Sequence, residues 1–120
     1  MAEKDDLGRA GEDRAVDHLT ARGYRILDRN WRCRQGEIDI VAESDGVLCI
    51  VEVKTRTSIG FGHPFDAIDG RKRDRLWRLA FAWAADHPDV ARRRMPRLEI
   101  IGITGADPAT AMIEHLVDLR

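Results

Sequence analysis

Glu52 and Lys54 stand one residue apart within GVLCIVEVKTR (46–56), a run whose Val, Leu and Ile otherwise spell a buried or half-buried strand. A carboxylate or an ammonium is tolerated in such a place when it is paired, hydrogen-bonded or bound to a metal. The preceding apolar run, EIDIVAE (37–43), carries Glu37 and Asp39 at the same spacing. Three carboxylates and a lysine on neighbouring strands can be accommodated in three ways. One carboxyl holds a proton, or Lys54 neutralises the group, or a divalent cation sits between Asp39 and Glu52. Carboxylate oxygens with room left for water are the donors that Mg²⁺ prefers.

The elements that must position these groups follow from the turn between the two runs. With Asp45-Gly46 as a two-residue hairpin turn, Ser44 faces Val47. Counting outward puts Asp39 opposite Glu52 and Glu37 opposite Lys54, and alternation turns all four side chains to one side of the sheet. Two carboxylates about 5 Å apart at an effective dielectric near 20 repel by roughly 3 kcal/mol. The ordinary meaning of E-x-K in a strand is an ion-pair ladder on a wet face, worth little. Opposed carboxylates depart from that pattern, and so does Glu12. Its helical neighbours Gly8, Ala15, Val16 and Leu19 set it on the apolar stripe of an amphipathic helix, pointing at the sheet. Gly8 and Gly11 would let that helix approach another backbone closely.

The helix spans residues 5–22, with Gly23 as its C-cap, and a first strand follows at 24–31. The hairpin strands lie at 37–43 and 47–54. Thr55 to Pro64, with Gly60, Gly62 and Pro64, reads as a mobile loop. A second helix is expected over 70–87, with Leu76, Leu79, Ala80 and Trp83 inward and His87-Pro88 ending it. Strands at 98–104 and 112–119 complete an α/β sheet with a helix on each side. At 120 residues the chain makes one domain, 1–120. With 43% apolar and 34% charged residues it is neither a disordered tail nor a bilayer span. It carries no leader, so a cytoplasmic location is expected. Cys33 and Cys49 have no partners at zinc spacing and read as two small buried or semi-buried thiols.

GRAGEDRAVDHLTARGYRILDRNWRCRQGEIDIVA, VEVKTR and FGHPFDAI together resemble the uncharacterised bacterial YraN-like family, UPF0102, from Gly8 to about Thr104. That family's fold is similar to the PD-(D/E)XK nucleases and the archaeal Holliday-junction resolvases. The resemblance implies a restriction-endonuclease-like three-layer fold, with a mixed sheet of about five strands flanked by helices. It makes Asp39 the motif Asp, Glu52 and Lys54 the E-x-K pair and Glu12 the helix acid. Asp39, Glu52 and Glu12 would then hold Mg²⁺ or Mn²⁺, and Lys54 would assist the attacking water. A homodimer is compatible with this, because cutting a four-way junction takes two symmetry-related sites. Where the resemblance leads one to expect Lys-Gln opening the second helix, this chain has Lys72-Arg73.

The net charge of −1 means that any nucleic-acid partner must be met by local clusters. Arg71, Arg75 and Arg78 recur on one face of the second helix, Lys72 falls on its inward side, and Arg92, Arg93 and Arg94 follow it. Arg56 and His63 flank the Gly-rich loop. Arg56, His63, Arg71, Lys72 and Arg75 are therefore the candidate DNA contacts, suited to phosphates rather than to bases. The expected activity is divalent-metal-dependent endonuclease action on DNA, branched or single-stranded substrates included. The alternative is a nucleic-acid-binding accessory protein with an inactive nuclease fold, and a weaker third is a protein-interaction module using Trp77 and Phe81.

Overall fold

The computed structural model describes residues 2–58, 60, 62–92 and 94–119. Helix α1 (Ala2–Ala21) is followed by strands β1 (Arg25–Cys33), β2 (Gly36–Ser44) and β3 (Val47–Arg56). A short 3₁₀ turn (Pro64–Ala67) then leads to helices α2 (Gly70–Asp86) and α3 (Pro88–Ala91) and strands β4 (Arg97–Thr104) and β5 (Met112–Leu116). The five strands form one mixed sheet in chain order. β3 and β4 run parallel and the other neighbours antiparallel. The parallel pair needs a crossover, which the 3₁₀ turn and the two helices supply.

Each face of the sheet buries its own core. Ala15 and Leu19 of α1 pack on Ile40, Cys49, Val51, Ile101 and Ile103. Leu76, Leu79 and Trp83 of α2 pack on Ile38, Leu48, Ile50 and Leu98. The four inward residues expected on α2 are all buried. The result is a three-layer α/β domain with a helix over each face. Among the described residues, no helix is long and apolar enough to cross a membrane.

The central hairpin forms in the register that the turn dictates. Asp45 (φ 49) and Gly46 (φ 80) both take the left-handed conformation that a tight hairpin turn requires. The ladder runs from Ser44↔Val47 to Ile40↔Val51 and stops there. Two expectations are revised. The loop begins later than Thr55, since Thr55 and Arg56 belong to β3. The last strand ends at Leu116 rather than at residue 119. The loop positions Ile59 and Phe61 and the connector's Arg93 lie outside the described residues.

A polar cluster under α1 was not foreseen. Glu99 on β4 is 0% exposed in a strand whose other residues between Arg97 and Thr104 are all apolar. It accepts hydrogen bonds from Tyr24 Oη (2.9 Å) and Arg97 Nε (3.0 Å), and lies 2.6 Å from His115 Nε2. His115 Nδ1 in turn lies 3.2 Å from His18 Nε2. Burial alone would raise the Glu99 pKa, but His115, Tyr24 and Arg97 outweigh it and hold the carboxyl below its usual range.

Candidate active site

The site forms where the β2–β3 ladder ends. Ile38 lies in the core beneath α2 and Ile40 in the core beneath α1, so β2 loses its strict alternation at Asp39. The Asp39 carboxylate accepts the Val53 N–H at 2.8 Å, a backbone donor at the point where pairing stops. On β3, Lys54 Nζ lies 3.2 Å from Glu52 Oε1, with both side chains largely shielded from solvent. Glu37 pairs instead with Arg32, at 3.6 Å. The β2–β3 ladder ends before the expected Glu37–Lys54 pair, although both side chains do line one cleft. That expectation extended regular alternation through a residue where the strand departs from it.

Helix α1 brings Glu12 to this point. A Cβ on Gly11 would lie 2.0 Å from Thr55 Oγ1 and 3.0 Å from Thr55 Cβ, so only glycine lets the helix rest on β3. Nothing comes within 4 Å of the same position on Gly8, which has no such role. Gly8→Ala should therefore stabilise the protein by up to about 1 kcal/mol through helix propensity. In Gly11→Ala the same gain is outweighed by overpacking of about 1–3 kcal/mol. Opposite shifts in melting temperature for the two variants check this; equal shifts would mean that the helix does not seat through Gly11.

Glu12 is 8% exposed and is held by Arg29 and Asn30 of β1. Asp39 therefore sits among like charges. Burial first, then Glu52, and to a smaller degree Glu12 and Glu37, push its pKa up to about 7, against the opposing Val53 hydrogen bond. An open cleft of about 1010 Å³ lies over these groups. α1 contributes Leu7, Gly8, Arg9 and Glu12 to it, β1 Asn30 and Arg32, and β2 Glu37 and Asp39. From β3 come Val53, Lys54 and Thr55, with Arg56 and Thr57 at the strand's end.

Of the residues singled out from sequence, Glu12, Asp39, Lys54 and Arg56 line the cleft, and Glu52 reaches it through its pairing with Lys54. The Nε of Arg56 is buried with no hydrogen-bond partner among the described residues. His63, Arg71, Lys72 and Arg75 are not on the cleft wall. His63 caps the 3₁₀ turn and lies 2.7 Å from Glu114 on β5. Arg71, Lys72 and Arg75 belong to α2, where Trp77 stacks on Phe81 at 5.9 Å. Sequence reading missed Arg9 and Arg32. Arg9 had a signal, one helical turn before Glu12; Arg32 had none.

The donors gathered at Asp39 are hard carboxylate oxygens that repel one another, which fits Mg²⁺ or Mn²⁺ in kind. As they stand, no three His, Cys, Asp or Glu side chains among the described residues are grouped to hold a metal ion. A cation here would have to draw the carboxylates closer.

Comparison with known proteins matches residues 11–103 to the Uncharacterised protein family UPF0102, a span that takes in Glu12, Asp39, Glu52, Lys54 and Arg56. A UPF0102 protein of Arthrobacter sp. is 48% identical over 118 residues, 97% of each chain. One from Clavibacter michiganensis is 44% identical over 116 residues, 94% of this chain and 97% of its own. Another, from Frankia casuarinae, is 42% identical over 97% of each chain. With identity at this level along almost its full length, the chain belongs to the uncharacterised protein family UPF0102.

Proposed function

We propose that this chain is a divalent-metal-dependent deoxyribonuclease of the PD-(D/E)XK type, cleaving DNA phosphodiesters in the cleft over Asp39. The observation that carries the reading is the convergence of Glu12, Glu37, Asp39 and Lys54 on one cleft under a rim of arginines, with Glu52 paired to Lys54; burial and the neighbouring carboxylates, which raise the Asp39 pKa, agree with it. Half-buried carboxylates that repel one another are costly to keep together, and such groups mark functional sites.

Asp39, Glu52 and Glu12 are the residues that would hold Mg²⁺ or Mn²⁺. Such an ion, when bound, lowers the pKa of a water and offsets the charge that grows on phosphate. Lys54 orients the attacking water by a hydrogen bond donated from Nζ, with Glu52 fixing the ammonium. Arg56, Arg9 and Arg32 line the cleft and are the groups that would meet the flanking phosphates. Among the described residues, no aromatic side chain lines the cleft, so bases have no stacking platform there and the strand is held by its backbone.

A second reading, a DNA-binding accessory protein with no activity, draws on the ion pairs themselves, since Lys54 is already matched by Glu52 and Glu12 by Arg29. Cleavage of duplex, single-stranded, flap and four-way-junction DNA in Mg²⁺, Mn²⁺ or EDTA separates the two. Wild type should cut with metal only, and Lys54→Ala should lose about 10²–10⁴-fold in rate while still binding metal. DNA bound equally in EDTA and by Glu52→Gln, with nothing cut, would favour the accessory protein.

A further inference from the structure

Glu12 is held in a lopsided way. Its Oε1 receives Arg29 Nε at 3.2 Å, Arg29 Nη2 at 3.1 Å and Asn30 Nδ2 at 2.9 Å. Among the described residues, none donates to Oε2. Arg29 and Asn30 are consecutive on β1, and in a regular strand consecutive side chains point to opposite faces. They meet on one oxygen because Asn30 has φ 54, in the left-handed region that asparagine tolerates better than most residues. Asn30 lies between the pairs Arg29↔Ile40 and Trp31↔Ile38, which sets it across from Asp39, and it lines the cleft. Both strands thus depart from regular geometry at the same level of the sheet.

We infer that Arg29 and Asn30 are positioning residues for Glu12, an inference that rests on the nuclease reading. Three donors on Oε1 leave Oε2 as the Glu12 oxygen that would be available if Glu12, Asp39 and Glu52 were to hold a cation. A surface ion pair would need neither a neutral amide on the same oxygen nor a left-handed residue to deliver it. Arg29 is itself braced, since its Nη2 also donates to Asp13 Oδ1 at 2.7 Å. The guanidinium matches the charge of Glu12, and the amide fixes its rotation. Metal ligands held by such outer partners lose about 10–100-fold in affinity or activity when the partner is removed.

Asn30→Gly is the informative variant, because glycine keeps the left-handed backbone and removes only the amide. Arg29→Lys keeps the charge and removes the fork. We expect Asn30→Gly to bind Mn²⁺ about 10–100-fold more weakly by titration calorimetry and to lose kcat with little change in KM for DNA. In EDTA, its melting shift should be non-additive with that of Glu12→Gln. Wild-type Mn²⁺ affinity in Asn30→Gly, or additive shifts, would overturn the positioning role while leaving the nuclease reading intact. A wild-type protein that neither binds Mn²⁺ nor cuts any of the four substrates overturns both.

Discussion

Asp39→Asn is expected to abolish the proposed metal-dependent cleavage and, in the absence of metal, to make the protein more stable. The ordinary value for an aspartate is 3.8 and the folded value is about 7, so the folded state holds this proton more tightly than the unfolded chain does. Any stabilisation from that proton is complete below pH 3.8 and is lost as pH rises towards 7. Above pH 7 the charged carboxylate costs about 2–4 kcal/mol. Asparagine removes the charge and keeps an oxygen to accept the Val53 N–H, so the contact at 2.8 Å survives. The gain over wild type in urea unfolding with EDTA should be largest at pH 8 and vanish near pH 4. Mg²⁺ should stabilise wild type and leave the Asp39→Asn variant unmoved. An Asp39→Asn protein less stable than wild type at pH 8, or stabilised equally by Mg²⁺, would count against Asp39 as a strained ligand.

The same residue shows how far the sequence could be read. Turn chemistry at Asp45-Gly46 fixed the hairpin register correctly down to Ile40↔Val51, because a two-residue turn leaves no slack. The ladder ends one residue later, at Asp39, where Ile38 and Ile40 enter different cores, and Glu52 is still the charge that acts most on Asp39. Asn30, across the ladder, carries a left-handed backbone that no apolar pattern reveals. Helix periodicity placed Glu12 on the inner stripe of α1, but it could not say which glycine makes the approach. That depends on Thr55, distant in sequence. Arg32 reaches the cleft through strand geometry alone. The places where local patterning broke down are those where the carboxylates gather, as expected where a fold gives up local consistency for a site.

Three local costs meet there: a helix pressed onto a strand at Gly11, a left-handed asparagine in β1, and like charges around Asp39. Such features persist only when the surrounding structure over-determines them. The two cores supply that constraint, since buried residues flank Asp39 on both faces through Ile38 and Ile40.

Glu99 carried the same signal as Glu52, a lone acid in an apolar strand, but its environment gives it a different use. None of its partners Tyr24, Arg97 and His115 lines the cleft, and each brings one polar atom to its two oxygens. Burial and then Glu99 raise the Tyr24 pKa to about 12, which keeps the phenol a donor. Glu99→Ala leaves these donors, one of them charged, facing a buried void. Breaking a buried pair from one side costs about 3–5 kcal/mol, a large share of a domain's roughly 5–15 kcal/mol. Urea unfolding at pH 7 should register that loss, with Glu99→Gln intermediate because its amide still accepts one donor. The wild-type acid limb should change as well. Burial, then Arg22, His115 and Arg14, lower the His18 pKa from 6.5 to about 4, so its contribution is complete above 6.5 and is lost as pH falls towards 4. The depressed Glu99 carboxyl likewise contributes above its unfolded pKa of 4.5 and loses that contribution on further acidification. Glu99→Ala should flatten the lower part of that limb, while metal-dependent cleavage by the folded fraction stays at the wild-type rate. Stability unchanged in Glu99→Ala would mean that the cluster is solvated, and cleavage lost from protein that remains folded would tie it to the active site instead.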